Sequence, residues 1–139
     1  MEAVMLKNKP ETGERSKGRF VVQEHHARNL HWDFRLELDG VLKSWAVPKE
    51  PPLQPNVRRL AIQVEDHPLD YIDFEGVITE GLYGAGAVKI WDSGTFQIES
   101  RKPEKMVFTL TGMKMLGGYV LLRFKEENQW LFFKRKEQD

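Results

Sequence analysis

Cysteine is absent from this chain of 139 residues. Disulfides, thiolate zinc sites and cysteine nucleophiles are therefore excluded, and any metal must be held by nitrogen and oxygen ligands. No run approaches the roughly 18 apolar residues that a membrane span needs. The N-terminal stretch, with Glu2 early and charges across residues 6 to 19, lacks the apolar core of a signal peptide. A cytoplasmic protein with no membrane association is expected. Net charge is missing as well, since 21 Lys and Arg balance 21 Asp and Glu. That withholds the usual basic signature of a nucleic-acid binder, yet a local patch rather than the total governs attraction to phosphate.

Helical periodicity is equally scarce. What the chain has instead is a series of short runs with period-two alternation, over residues 20–24, 30–38, 41–47, 60–66, 87–91, 95–99, 106–110, 119–124 and 130–134. Turn signals separate nearly all of them: Asp39-Gly40, Ser93-Gly94, Gly117-Gly118 and Asn128. Residues 48 to 55, with Pro51-Pro52, read as an irregular loop. The pattern predicts an all-β, mainly antiparallel fold with little helix, its sheet closed into a barrel or folded into a sandwich. With 40% hydrophobic and 30% charged residues the chain is long enough for one core, and a single domain over residues 19–139 is expected after a flexible arm at 1–18.

The segment HHARNLHWDFRLELDG, residues 25 to 40, concentrates the chemistry. From His31 to Leu38 the residues alternate, with Trp32, Phe34, Leu36 and Leu38 on one side and His31, Asp33, Arg35 and Glu37 on the other. Side chains two residues apart stand about 6 to 7 Å apart along a strand, close enough to converge on one small anion or metal. His25, His31 and Asp33 make an HxxxxxHxD set of two imidazoles and a carboxylate, suited to manganese, iron or zinc with positions left open for water or substrate. A polar solvent-facing strand is the plainer reading, but such strands usually carry Lys, Glu and Thr. Arg35 either forks onto a phosphate or carboxylate, or pairs with Glu37 or Asp33. His67 and Tyr71, in VEDHPLDY, fall at a strand end beside a proline; a histidine there is more often a hydrogen-bonded loop residue. The glycine-rich stretch of residues 80 to 94 is no phosphate cradle, because no helix follows it; tight turns and close strand approach are expected. The cations at Arg58, Arg59, Arg101, Lys102, Lys134, Arg135 and Lys136 are mostly solvated charge, of which a subset suits a nucleic-acid backbone.

FVVQEHHARNLHWDFRLELDGVLKSWAVPK, followed by VEDHPLDYIDFEGVITEGLYGAGAVKIWDSG, resembles the 3′-phosphoesterase domain of the bacterial and archaeal DNA ligase D repair system, and the resemblance extends over residues 19 to 135. It implies a compact, closed or nearly closed β-barrel and a manganese-dependent enzyme, with Co²⁺ or Zn²⁺ as other possible ions, that removes a 3′-terminal ribonucleoside and then the 3′-phosphate to leave a 3′-hydroxyl. The substrates implied are DNA or RNA-tailed DNA 3′ ends on a primer-template. The partners implied are the ATP-dependent DNA ligase and the polymerase of the same system, met by a monomer. Position by position, His25, His31 and Asp33 match the metal ligands. Arg35 and His67 match the groups that engage the scissile phosphate, with Tyr71 beside them, and Gln23, Lys49 and Arg59 match supporting polar positions. The chain departs from the pattern in having no histidine before His25, His26 where Asp is common, and Trp32 where Tyr is common. Two other readings compete: a non-haem iron oxygenase, which also uses two His and one carboxylate, and a non-catalytic β-barrel that binds nucleic acid.

Overall fold

Residues 16–82 and 84–136 are described by the computed structural model of the chain; most of the expected arm, residues 1–15, lies outside them. The strands run β1 Lys17–His26, β2 Leu30–Leu38, β3 Val41–Val47, β4 Arg58–His67, β5 Gly76–Ile78, β6 Gly86–Lys102, β7 Lys105–Gly112, β8 Leu116–Arg123 and β9 Gln129–Lys134. All pair antiparallel in the order β1-β2-β3-β4-β9-β8-β7-β6, and β6 returns to β1, so eight strands close a barrel while β5 hangs on the outer end of β6. The all-β antiparallel fold expected from the alternation is observed, closed as the barrel that the resemblance implies. A 3-10 segment spans Leu69–Asp73, and no described helix is long and apolar enough to cross a membrane.

The barrel interior is filled. Phe34 sits at its centre, with ring centroids 6.1 Å from Phe20, 6.2 Å from Trp45, 6.0 Å from Phe108 and 4.7 Å from Phe132. Leu36, Leu38, Trp45, Leu110, Met115, Tyr119 and Leu121 complete that core. The apolar side of β2 is therefore the inside, and the His31, Asp33, Arg35 and Glu37 side is the outer wall. A smaller cluster of Val21, Leu42 and Ile72 lies on that outer wall, because the excursion of the described residues 68–82 and 84–85 folds back over β1, β2 and β3. Tyr119 donates its hydroxyl to the Pro52 carbonyl at 2.9 Å, which holds the proline loop against the barrel.

Asp39-Gly40 behaves as its residue types require: φ of 57° and 79° make a two-residue primed turn. Two other expected turns are strand instead. Ser93-Gly94 does not break the chain; the runs 87–91 and 95–99 belong to one strand, β6. Gly94 is needed there because a Cβ would run into the Thr111 carbonyl across the sheet. Gly117-Gly118 lies inside β8, and the reversal falls just before it, at Met113–Lys114. That reversal is organised by Asp92, a buried carboxylate that accepts backbone N–H groups from Ser93 (2.9 Å), Met113 (2.9 Å), Lys114 (3.0 Å) and Met115 (2.8 Å). Of the expected arm, residues 17 and 18 already belong to β1, which pairs from Lys17 onward.

Removing the Asp92 carboxylate strands several amide donors in a protein interior. Asp92→Ala is expected to cost about 3 kcal/mol, or ~10 °C in Tm for a domain of this size. Thermal unfolding followed by circular dichroism measures it, and an unchanged Tm would refute the role.

Candidate metal and phosphate site

The β1–β2 hairpin closes through three residues, Ala27 to Asn29, and puts His25 directly opposite His31 and Gln23 opposite Asp33. The two-residue turn at Asp39-Gly40 fixes the next register, setting Arg35 opposite Ser44 and Asp33 opposite Ala46. Directly opposed residues of antiparallel strands have Cβ atoms about 4.5 to 5.5 Å apart. Three strands thus deliver two imidazoles, a carboxylate, a guanidinium, an amide and a hydroxyl to one patch of outer wall.

His25, His31 and Asp33 each offer one ligand atom, and those atoms lie within 4.8 Å of one another. Asp33 Oδ2 is 3.6 Å from His25 Nδ1 and 3.3 Å from His31 Nε2. Each ring is oriented by a bond from its other nitrogen. His25 Nε2 donates to the Gly84 carbonyl at 2.7 Å and His31 Nδ1 to the Asn29 carbonyl at 3.0 Å. A backbone carbonyl behind each imidazole fixes its tautomer and leaves the inner nitrogen as a lone-pair donor, the arrangement seen around protein-bound metals. Burial pushes the Asp33 carboxyl upward, but the bond to His31 and the charge of Arg35 outweigh it, so the net shift is downward and the ligand is ionised. The same bond raises His31 against its burial.

Arg35 is only 4% exposed. Its Nε donates to Gln23 Oε1 at 2.7 Å and its Nη1 to Ser44 Oγ at 2.8 Å, and Nη2 stands 3.5 Å from Asp33. Nη1 is also 3.1 Å from His67 Nδ1, while the Glu65 carbonyl lies 3.2 Å from that same nitrogen. Arginine has no acceptor, so His67 Nδ1 accepts from Arg35 and the ring proton is assigned to Nε2 from this network. Burial and the neighbouring guanidinium both lower the His67 pKa, consistent with a neutral ring. The Tyr71 ring covers the guanidinium at 5.0 Å and lies 4.9 Å from His67. Gln23 is fully buried and donates to the Tyr71 and Phe74 carbonyls at 3.0 and 3.2 Å, which ties the 3-10 segment to the barrel wall.

His25, His31, Asp33, Arg35, His67 and Tyr71 line one cavity of about 500 Å³, closed by Ala46, Val64, Ile78 and Gly84. Gln23 supports it from behind. Lys49 and Arg59 do not line it; Arg59 donates to the Glu50 carbonyl at 2.6 Å and occupies the opposite face of β4 from Val64. Glu37 is taken up by Arg19, whose side chain reaches it at 2.8 and 3.0 Å. Sequence reading passed over Ser44, Asp92 and the carbonyl of Gly84. Ser44 was within reach, since Ser44 and Ala46 are the small residues alternating with Lys43, Trp45 and Val47, and small residues form a pocket floor. A separate concavity of about 420 Å³, lined by Lys43, Trp45, Arg101 and Trp130, shares none of these groups.

Residues 23–123 match the family model described as the DNA ligase D 3′-phosphoesterase domain. The chain is 51% identical over 127 residues, 86% of its length, to the multifunctional non-homologous end joining protein LigD of Pseudomonas aeruginosa. It is 49% identical over 134 residues, 94% of its length, to the multifunctional non-homologous end joining DNA repair protein LigD of Mycobacterium tuberculosis. Identity to the LigD of Mycolicibacterium smegmatis is 47% over 140 residues, 93% of the chain. The chain spans between 15% and 18% of the length of these relatives.

Because burial and Arg35 act in the same direction on His67, its imidazole should titrate below the ordinary histidine range. Replacing the guanidinium by a neutral amide in Arg35→Gln should move the midpoint upward, as followed by NMR of the ring protons. A midpoint unmoved by the substitution would contradict the assigned network.

Proposed function

The chain belongs to the DNA ligase D 3′-phosphoesterase domain family, and on that premise we propose that it is a metal-dependent phosphoesterase that heals 3′ ends of DNA during non-homologous end joining. Its substrates are 3′-terminal ribonucleosides and 3′-phosphates on DNA or RNA-tailed DNA, and its product is a 3′-hydroxyl fit for a ligase. The ion is Mn²⁺, with Co²⁺ or Zn²⁺ as substitutes. One observation carries this reading: a single cavity holds both a nitrogen-and-oxygen ligand set and, beside it, a fixed guanidinium with a neutral imidazole.

His25 Nδ1, His31 Nε2 and Asp33 Oδ2 would hold the ion, which when bound supplies Lewis acidity toward a phosphate oxygen. Arg35 uses Nε and Nη1 to hold its place, and Nη2, whose neighbour is Asp33 Oδ2 at 3.5 Å, is the corner that grips a non-bridging oxygen. Its guanidinium arrives already oriented and does not have to reorganise as negative charge builds on that oxygen. His67 presents Nε2–H as a donor, and as a neutral ring it steadies charge by hydrogen bonding rather than by carrying a positive charge. Tyr71 shields the guanidinium from water on the side away from the barrel. The two-His one-carboxylate set alone is equally the set of an iron oxygenase; Arg35 and His67 beside it favour a phosphate.

His31→Ala and Asp33→Ala should each lower Mn²⁺-dependent release by about 10³-fold, the weight of several kcal/mol of charge stabilisation. The measurement uses a primer-template ending in one 3′ ribonucleotide and resolves loss of the nucleoside from loss of the phosphate. Chelation of divalent ions should stop the parent chain equally. Activity retained in a folded variant would overturn the ligand set.

A further inference from the structure

On β4 the side chains of Arg58, Leu60, Ile62 and Val64 share the outer face, opposite Ala61 of the core. The row begins inside the cavity, which Val64 lines. It runs outward for about 20 Å at 3.3 Å per residue and ends at Arg58, whose guanidinium stacks on Phe133 at 4.4 Å. The sheet continues the surface sideways: Leu60 opposes Leu131, Leu131 opposes Leu122, and Leu122 opposes Lys105. Arg58, Lys105, Phe133, Lys134 and Lys136 line a shallow concavity of about 710 Å³. The outward positions of β4 from Arg58 to Val64, of β9 and of β8 carry no carboxylate. Arg135, at the margin, is paired with Glu99 at 3.3 Å. In a chain of zero net charge, a cationic rim around an apolar sheet face that leads out of the candidate site is a local feature of the kind that attracts phosphate.

We propose that this outer face of β4, β9 and β8 is the track for the nucleic-acid strand whose 3′ terminus enters the cavity, with Arg58, Lys105 and, just past β9, Lys136 on its backbone phosphates and Leu60, Leu131 and Phe133 against its sugars. The inference rests on the phosphoesterase reading and adds where the rest of the substrate lies. A polyanion is the occupant because the apolar floor is edged by cations and lacks acidic groups, whereas a protein partner would need counter-charges of its own. About 20 Å corresponds to about six nucleotides at 3.4 Å per step.

The test is binding in chelator, where no turnover occurs, read by fluorescence anisotropy of a labelled primer-template across a salt series. The triple variant Arg58→Ala, Lys105→Ala, Lys136→Ala, in which every replaced side chain lines the shallow concavity, should lower the slope of log K against log salt by about 2 to 3, at roughly 0.7 to 0.9 for each phosphate no longer neutralised. Removing Lys102, Lys114 and Lys125 instead should leave the slope within about 1 of the parent. Phe133→Ala should weaken binding about tenfold. Mn²⁺-dependent release from a trinucleotide, too short to reach Arg58, should be equal in parent and triple variant. An unchanged slope and affinity in the triple variant, with release from both substrates intact, would overturn the track and leave the phosphoesterase reading standing. No release by the parent chain from either substrate would overturn that reading and the track with it.

Discussion

Arg35 is a charge held almost wholly out of water on the outer wall of a barrel, and an unpaired buried charge costs several kcal/mol. Its surroundings follow from that constraint. Asp33 must be ionised beside it, Gln23 must turn its oxygen toward Nε, Ser44 must accept at Nη1, and His67 must present a bare nitrogen. Gln23 then has its amide nitrogen free for the Tyr71 and Phe74 carbonyls, which anchors the excursion that buries the arginine in the first place. The cover and the covered charge specify each other. The neutral state of His67 follows from its burial and from this guanidinium, and the depressed pKa of Asp33 from the bond to His31 and from the same guanidinium.

How far this could be read from sequence depends on which part was set by local chemistry. The polar ladder of β2 followed from alternation, and the two hairpins make its neighbours a matter of arithmetic. A two-residue turn at Asp39-Gly40 requires position numbers across the hairpin to sum to 79, which pairs 35 with 44 and 33 with 46. The three-residue turn after His26 pairs 25 with 31 in the same way. What resisted reading was the use of glycine. Gly94 permits a close crossing between β6 and β7 rather than a reversal, and composition does not distinguish the two. The excursion over the outer wall was equally hidden, since β5 has only three residues and Leu69–Asp73 has no helical period long enough to detect. Without it, Asp33 and Arg35 look like a solvent-facing strand.

One oxygen has more suitors than it can satisfy. Asp33 Oδ2 is the nearest carboxylate atom to His25, His31 and Arg35 together, at 3.6, 3.3 and 3.5 Å. His31 Nε2 faces Asp33 Oδ2 at 3.3 Å, and a cation between the ligands needs the lone pair of that nitrogen, so ion binding and the loss of any proton held there are linked. Arg35 cannot be displaced in this way, because its other bonds hold it. A carboxylate shared between a fixed guanidinium and an ion is ionised whether or not the ion is there, which keeps the ligand set ready at neutral pH.

The location of the site decides what kind of molecule it can serve. A barrel of eight strands has room for side chains or for one small ligand, and here the aromatic cluster around Phe34 fills its middle, leaving a concavity of about 420 Å³ against Trp45 and Trp130. The candidate site lies on the outer wall, under a cover that includes Tyr71 and Gly84. A site inside the barrel would admit only what fits through one end. A site on the wall is open along the strand direction, with Val64, Ile62 and Leu60 leading away from it, and so it can take the end of a long polymer while the remainder lies outside. The apolar face of β2 fills the core and by doing so forces the polar face to work at the surface.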